Sequence, residues 1–198
     1  MAVGIFGGTF DPPHLGHLVL AETCADALAL ARVLWTPAAD PPHKRDLAIT
    51  PAAQRVAMVE AAIAGNPRFA LSRVDLERPG PHYSVDMVRM VAAQYPPGTS
   101  LYFLIGGDSL RDLPTWHEPA RLLEYCWLAV MRRPGDNVDI DALEDQLPGL
   151  TARLRIIDAP LIEISGSEIR RRVRDGQSIR YRVPDRVAAY IAREGLYK

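Results

Sequence analysis

The stretch Ala2–His17 (AVGIFGGTFDPPHLGH) decides the fold of this chain. It begins with a short apolar run rich in β-forming residues, which predicts a central parallel strand. Gly7 and Gly8 follow, and we expect them to turn the chain sharply where a ligand can approach the backbone. His14 and His17 then open a helix, whose exposed N–H groups favour an anion. The pattern predicts phosphate chemistry at the end of the first strand.

Strand-like and helix-like segments alternate along the rest of the chain. Further strands are predicted at 32–36, 69–72, 101–105, 127–131 and 154–157, and helices at 15–30, 51–64 and 84–94, the last capped by Ser84. The alternation predicts one α/β domain over residues 1–198, built on a doubly wound parallel sheet with a small helical portion towards its C-terminal end. Such sheets bind ligands beyond the carboxyl ends of the strands, where the winding direction switches.

Composition and charge disfavour several classes of protein. The chain has 198 residues and a formal net charge of −1, so it has no global field to attract nucleic acid or an anionic membrane. The sequence shows neither a secretory leader nor an apolar run of membrane-spanning length. We therefore expect a cytoplasmic protein with no nucleic-acid or membrane partner. Cys24 and Cys126 have no metal-binding or redox spacing, so we expect buried thiols.

The usual nucleotide-binding motifs are missing from the sequence, which has neither a P-loop nor a G-x-G-x-x-G fingerprint. Phosphates must therefore be held by another device, and His14 and His17 provide hydrogen-bond donors for it. Gly16 between them leaves room for a nucleotide. The alternatives are two ordinary surface histidines or half of a zinc site, but zinc would need two more ligands at suitable spacing.

A second motif, Ile164–Arg170 (ISGSEIR), predicts another helix start. Ser165 and Glu168 have the spacing of a capping box. Hydroxyls, exposed N–H groups and the Arg170 guanidinium would converge there, where an anion is favoured. The alternative is a well-capped helix with no binding role.

Together the two motifs resemble the nucleotidyltransferase superfamily, whose fold is Rossmann-like and whose signature contains H-x-G-H. The chain most resembles the bacterial nicotinate mononucleotide adenylyltransferases of NAD biosynthesis. In that family an I-S-S-T/S-x-I-R motif grips the β- and γ-phosphates of ATP, and here Gly166 replaces the second hydroxyl residue. The resemblance implies catalytic roles for His14, His17 and Arg170. It implies ATP contacts for Gly7, Gly8, Thr9, Phe10, His14, Gly16, His17, Gly106, Asp108, Ile164, Ser165, Ser167 and Arg170.

The resemblance also implies how the acceptor substrate is held. Lys44, in a P-P-H-K loop, would approach the mononucleotide phosphate, and Trp116 would stack on the pyridine ring. Ser84 and the backbone of His117 would recognise the nicotinate carboxylate. Solvated or structural roles, including a helix cap at Asp108, are the alternatives for these residues. The complete set implied for nicotinate mononucleotide is Gly8, Thr9, His43, Lys44, Ser84, Trp116 and His117.

The implied reaction is adenylyl transfer from ATP to nicotinate mononucleotide, giving nicotinate adenine dinucleotide (deamido-NAD) and pyrophosphate. Mg²⁺ would arrive on ATP, and the protein would have no metal site of its own. The alternatives are a phosphopantetheine adenylyltransferase, a small cytidylyltransferase, a class I aminoacyl-tRNA synthetase or a preference for nicotinamide mononucleotide. A non-catalytic nucleotide-binding regulator and an RNA-binding module using the C-terminal arginines are alternatives of a different class. The sequence leaves a homo-oligomer open.

Overall fold

The structure is a computed structural model that describes residues 1–39, 49–132, 138–160 and 162–198. Within these ranges six strands form one sheet. The predicted strands are confirmed, each to within two residues at either end. Their bounds are β1 Ala2–Gly8, β2 Arg32–Pro37, β3 Phe69–Leu71, β4 Ser100–Gly106, β5 Trp127–Arg132 and β6 Leu154–Asp158.

The strands lie in the order β3-β2-β1-β4-β5-β6, and every neighbouring pair is parallel. The chain winds outwards from β1 through β2 to β3 and then returns to place β4 on the other side of β1. The predicted doubly wound sheet is therefore confirmed, with its switch between β1 and β4. One detail differs, because Gly7 and Gly8 do not turn the chain but continue β1, paired with Thr36 and Pro37 of β2.

Eight helices flank the sheet in the described ranges. The predicted helix at 84–94 forms, but Ser84 is its first helical residue and Tyr83 is the N-cap, so the predicted cap is wrong by one position. The pattern does not predict the three helices of 6 or 7 residues, because less than two turns shows too little periodicity. The bounds are α1 Leu15–Ala27, α2 Ala52–Ile63, α3 Ser84–Ala92, α4 Gly107–Asp112, α5 Pro119–Tyr125, α6 Ile140–Gln146, α7 Gly166–Arg174 and α8 Asp185–Glu194.

Apolar side chains alternate between the two faces of the sheet, as parallel strands buried on both sides require. In β1, Ile5 packs into the core under α3 and α5, whereas Phe6 packs into the core under α1. A third cluster joins Met58 of α2 to Ile169 of α7 and Ile191 of α8. This cluster fixes the helix that carries the second motif against the rest of the molecule.

Both cysteines are buried, as predicted, and burial raises the pKa of each thiol to about 12. Among the helices of the described ranges, none combines the length and the apolar character needed to cross a bilayer.

Candidate active site

Two adjoining cavities open at the carboxyl edge of the sheet, where the winding switch predicts a ligand site. The histidine cavity, of about 540 Å³, lies between the start of α1 and the start of α7. The tryptophan cavity, of about 430 Å³, lies between the ends of β1 and β4 and the start of α3. Thr9 lines both cavities. The histidine cavity is lined by Thr9, Phe10, Asp11, Pro12, His14, Gly16, His17, Leu20, Ile49, Asp108, Ile162, Ile164, Ser165, Gly166, Ser167 and Arg170.

The two motif histidines form a stacked pair at the start of α1. Their ring centroids are 3.6 Å apart, and the rings are 24° from parallel. The backbone N–H of His14 donates to Nδ1 of His17 at 3.2 Å. Because Nδ1 accepts this bond, a neutral His17 ring carries its proton on Nε2 and can donate from there. A Cβ on Gly16 would lie 3.1 Å from Nδ1 of His14, so this glycine makes room for the His14 ring.

The Phe10 ring packs against the His17 ring and helps to hold it in place. Phe10 has a φ of 50°, a left-handed backbone that folds its ring back under β1. A Cβ on Gly8 would lie 2.9 Å from that ring, so Gly8 is needed for this close approach. The ring is 2% exposed and meets His17 edge-on at 5.2 Å between centroids.

The start of α7 forms the opposite wall. The Ser165 hydroxyl accepts the N–H of Glu168 at 3.2 Å, which confirms Ser165 as the cap. The Glu168 carboxylate accepts hydrogen bonds from Arg171 instead of completing the predicted capping box. Nη1 of Arg170 donates to the backbone carbonyl of Asp11 at 2.6 Å. A Cβ on Gly166 would lie 2.8 Å from the same carbonyl oxygen. The glycine at this position therefore lets the loop after β1 rest directly on α7.

Asp108 follows β4 in the first turn of α4 and lines the histidine cavity. Its Oδ1 lies 2.5 Å from where a Cβ on Gly106 would stand, so the glycine admits the carboxylate. Gly106 is the N-cap of α4, and the helix-cap alternative for Asp108 is not what the structure shows.

Aromatic rings wall the tryptophan cavity. Trp116 meets Phe103 of β4 edge-on at 6.2 Å between centroids. Tyr83, at the start of α3, stacks on His117 at 4.0 Å. Ser84 lies beside this stack at the first turn of the helix. Apolar walls with a few hydrogen-bonding groups suit a flat ring that carries one polar substituent.

A buried polar cluster lies in the wall of the same cavity. The Asp75 carboxylate accepts hydrogen bonds from Arg78 at 2.6 Å and from the N–H of Ala39 at 3.1 Å. Nδ1 of His82 lies 3.7 Å from Oδ2 of Asp75, the same oxygen that accepts from Ala39. Arg78 also donates to the carbonyl of Tyr83 at 3.1 Å, so the cluster fixes the position of the first turn of α3.

A second buried cluster lies under the place where the two cavities meet. Arg55 of α2 is 1% exposed and donates to the carbonyls of Thr9, Ala38, Ala39 and Thr50 at 2.7–3.1 Å. Burial lowers the pKa of the guanidinium, and the nearby negative charge of Asp11 opposes that change. Arg55 therefore ties the end of β1, the end of β2 and the start of α2 together.

The structure brings most of the sequence-predicted residues to these two cavities. Ser84, Trp116, His117, Gly8 and Thr9 line the tryptophan cavity. Gly7, Gly8 and Gly106, expected at ATP, also lie there and not in the histidine cavity. His43 and Lys44 lie outside the described residues. All other predicted ATP residues line the histidine cavity: Thr9, Phe10, His14, Gly16, His17, Asp108, Ile164, Ser165, Ser167 and Arg170.

Sequence reasoning missed the supporting residues. Asp11 stands inside the quoted motif but was given no role, and His82 and Tyr83 adjoin Ser84. Arg55 and Tyr197 carry no local signal, because their partners lie far away along the chain. Within the described residues, no group of three or more His, Cys, Asp or Glu side chains could hold a metal ion.

Comparisons with known proteins place this chain in a family. The model of the Cytidylyltransferase-like family matches residues 5–172. A probable nicotinate-nucleotide adenylyltransferase of Thermomicrobium roseum is 51% identical over 99% of this chain and 91% of its own length. One of Thermus thermophilus is 43% identical over 100% of both chains.

Among solved structures, a nicotinic acid mononucleotide adenylyltransferase of Plasmodium falciparum, in complex with NaAD, superposes with a TM-score of 0.79 at 19% identity, covering 99% of this chain and 97% of its own. The complex with APC gives a TM-score of 0.77 at 18% identity, covering 99% and 96%. At this identity the likeness bears on the fold, which is confirmed as the nucleotidyltransferase fold. With both motifs in one site and close full-length relatives, the chain belongs to the Cytidylyltransferase-like family and, within it, to the nicotinate-nucleotide adenylyltransferases.

Proposed function

We propose that this protein transfers the adenylyl group of ATP to nicotinate mononucleotide, releasing pyrophosphate and forming nicotinate adenine dinucleotide, a step of NAD biosynthesis. The observation that carries the proposal is the pairing of two unlike cavities that meet at Thr9. One has donors for a polyphosphate, and the other has aromatic walls for a flat ring. The complexes of the Plasmodium falciparum protein with APC and with NaAD support both halves of the proposal.

This geometry would accelerate the reaction by holding the two substrates in the right relative position. The mononucleotide phosphate is already an anion, so the attack on the α-phosphorus needs no general base. The protein has to align the two substrates and stabilise charge on the transferring group and on pyrophosphate. His17 would donate from Nε2, and Arg170 and the backbone N–H groups at the start of α7 would provide further donors.

Mg²⁺ is proposed to arrive on the ATP phosphates. The residues of the histidine cavity suit a cation that enters on ATP better than a cation that the protein alone holds. Asp108 lines the cavity, whereas the Asp11 side chain accepts hydrogen bonds from Tyr197 and Thr50. One available carboxylate suits a cation that keeps its waters and its phosphate ligands. The cation would neutralise charge on the phosphates.

Pyrophosphate release tests the proposal directly. The enzyme is assayed with ATP and Mg²⁺ and, in parallel, with nicotinate mononucleotide, nicotinamide mononucleotide or phosphopantetheine. We expect fast release with nicotinate mononucleotide and much slower release with the other two. Preference for another acceptor would overturn the role of the tryptophan cavity and keep adenylyl transfer. No release from any acceptor, by a folded protein that binds ATP, would favour a regulator.

A further inference from the structure

We propose that Tyr197 is a positioning residue for ATP, acting through Asp11. The inference rests on the proposed function, because it assigns a role at the same site to a residue that lies outside both cavities. Tyr197 follows α8, and its hydroxyl donates to Oδ1 of Asp11 at 2.5 Å across a separation of 186 residues.

The backbone of Asp11 is the contact between the two walls of the histidine cavity. Its carbonyl accepts the Arg170 bond at 2.6 Å and lies against Gly166, where a Cβ would stand 2.8 Å away. Any rotation of the Asp11 peptide would therefore move the Arg170 guanidinium or open a gap at the start of α7. The carbonyl is uncharged and takes one N–H, so the other donors of Arg170 stay available for an anion.

The side chain of Asp11 is what fixes that peptide. The residue is 7% exposed, and its two oxygens accept from different segments. Oδ1 takes the Tyr197 hydroxyl, and Oδ2 takes the backbone N–H of Thr50 at 3.2 Å. A buried carboxylate needs such partners, since an unsatisfied charge is costly. The guanidinium of Arg55 supplies the compensating charge nearby.

Tyr197 is itself held firmly. It packs on the cluster that joins α2, α7 and α8, with its hydroxyl 3.7 Å from the sulfur of Met58. Burial and the Asp11 carboxylate both raise the pKa of the phenol, so its proton stays in place as a donor across the neutral range. The segment after α8 thus stabilises the loop that carries the first motif.

The test compares Tyr197→Phe with wild type in calorimetric titrations of ATP with Mg²⁺ and, separately, of nicotinate mononucleotide. We expect the Kd for ATP to rise about tenfold, as loss of a hydrogen bond to a buried charge implies, and the Kd for the mononucleotide to stay within about twofold. The reason for the split is that Asp11 lines only the histidine cavity. Tyr190→Phe, which removes a phenol hydroxyl from α8 and keeps the ring over Arg193, is the matched control.

A double-mutant cycle separates positioning from simple loss of stability. Asp11→Asn should weaken ATP binding selectively, and adding Tyr197→Phe to it should cost little more, because the two side chains act as one unit. Thermal melting of all four proteins checks that each one is folded at the temperature of the titrations. Unchanged ATP binding in Tyr197→Phe, equal weakening of both ligands or full additivity would overturn the inference. If wild type itself fails to bind ATP, the proposed function falls with it.

Discussion

The two cavities are built from different parts of the fold, and they recognise their ligands by different physics. The histidine cavity is made of loops and the starts of α1, α4 and α7, with hydrogen-bond donors from His17, Ser165 and Arg170. The tryptophan cavity is made of strand ends and aromatic rings such as Phe103 and Trp116. Hydrogen-bond donors at helix starts suit the negative charge of a triphosphate, which is the same in every nucleoside triphosphate. Apolar walls suit shape, which distinguishes one acceptor from another. Rate should therefore depend on the first cavity and acceptor choice on the second.

The largest effect is expected at His17. His17→Ala should lower turnover at least about a hundredfold, as loss of a preorganised donor does. It also removes the acceptor for the His14 N–H, which should cost about 1 kcal/mol of stability. Steady-state rates and thermal melting of the same preparation separate the two effects.

His17→Asn provides the control, because an amide oxygen can replace the lost acceptor. It should melt near wild type and remain slow. Near-wild-type turnover in either folded variant would take His17 out of the mechanism.

Trp116 tests the other cavity. Trp116→Ala should raise KM for nicotinate mononucleotide by about tenfold or more, since a large aromatic surface is lost, and leave KM for ATP nearly constant. The measurement is a matched pair of substrate titrations. Trp127→Phe, at the start of β5 on the opposite edge of the sheet, should change neither constant. An equal rise in both constants for Trp116→Ala would contradict the division between the cavities.

Ser84 should show a smaller effect on selectivity. Ser84→Ala removes one hydroxyl from the tryptophan cavity and should lower kcat/KM for nicotinate mononucleotide about tenfold, the weak end of the range for a hydrogen bond to a charged group. The ratio of nicotinate to nicotinamide mononucleotide use should fall with it. Ser100→Ala, at the start of β4, is the control. A constant ratio would remove Ser84 from carboxylate recognition.

The smallest effect is expected at the cysteines, which line neither cavity. With burial raising both thiol pKa values to about 12, the reactive thiolate is scarce at pH 8. A thiol-alkylating reagent should therefore leave native activity intact and label both residues only after unfolding. Rapid inactivation of the native protein would show that one thiol is accessible.

The sheet was predictable because its four inner strands, β1, β2, β4 and β5, are largely buried and read as apolar runs, as in Leu101–Ile105. The motif residues were predictable because their partners are near in sequence, as His14 and His17 are. The turn predicted at Gly7 and Gly8 was wrong, because glycine within a strand can serve close packing as well as a turn. Local sequence patterns do not predict the contact between Tyr197 and Asp11, because it depends on how α8 packs against α2 and α7.

The Arg55 cluster links the folding of the segments that form the two cavities. One buried guanidinium satisfies carbonyls from three separate segments, so none of those segments can detach without exposing or stranding the others' hydrogen bonds. Release of any one segment leaves a buried guanidinium N–H without its acceptor, which weakens the whole cluster. We therefore expect the two cavities to form and melt together.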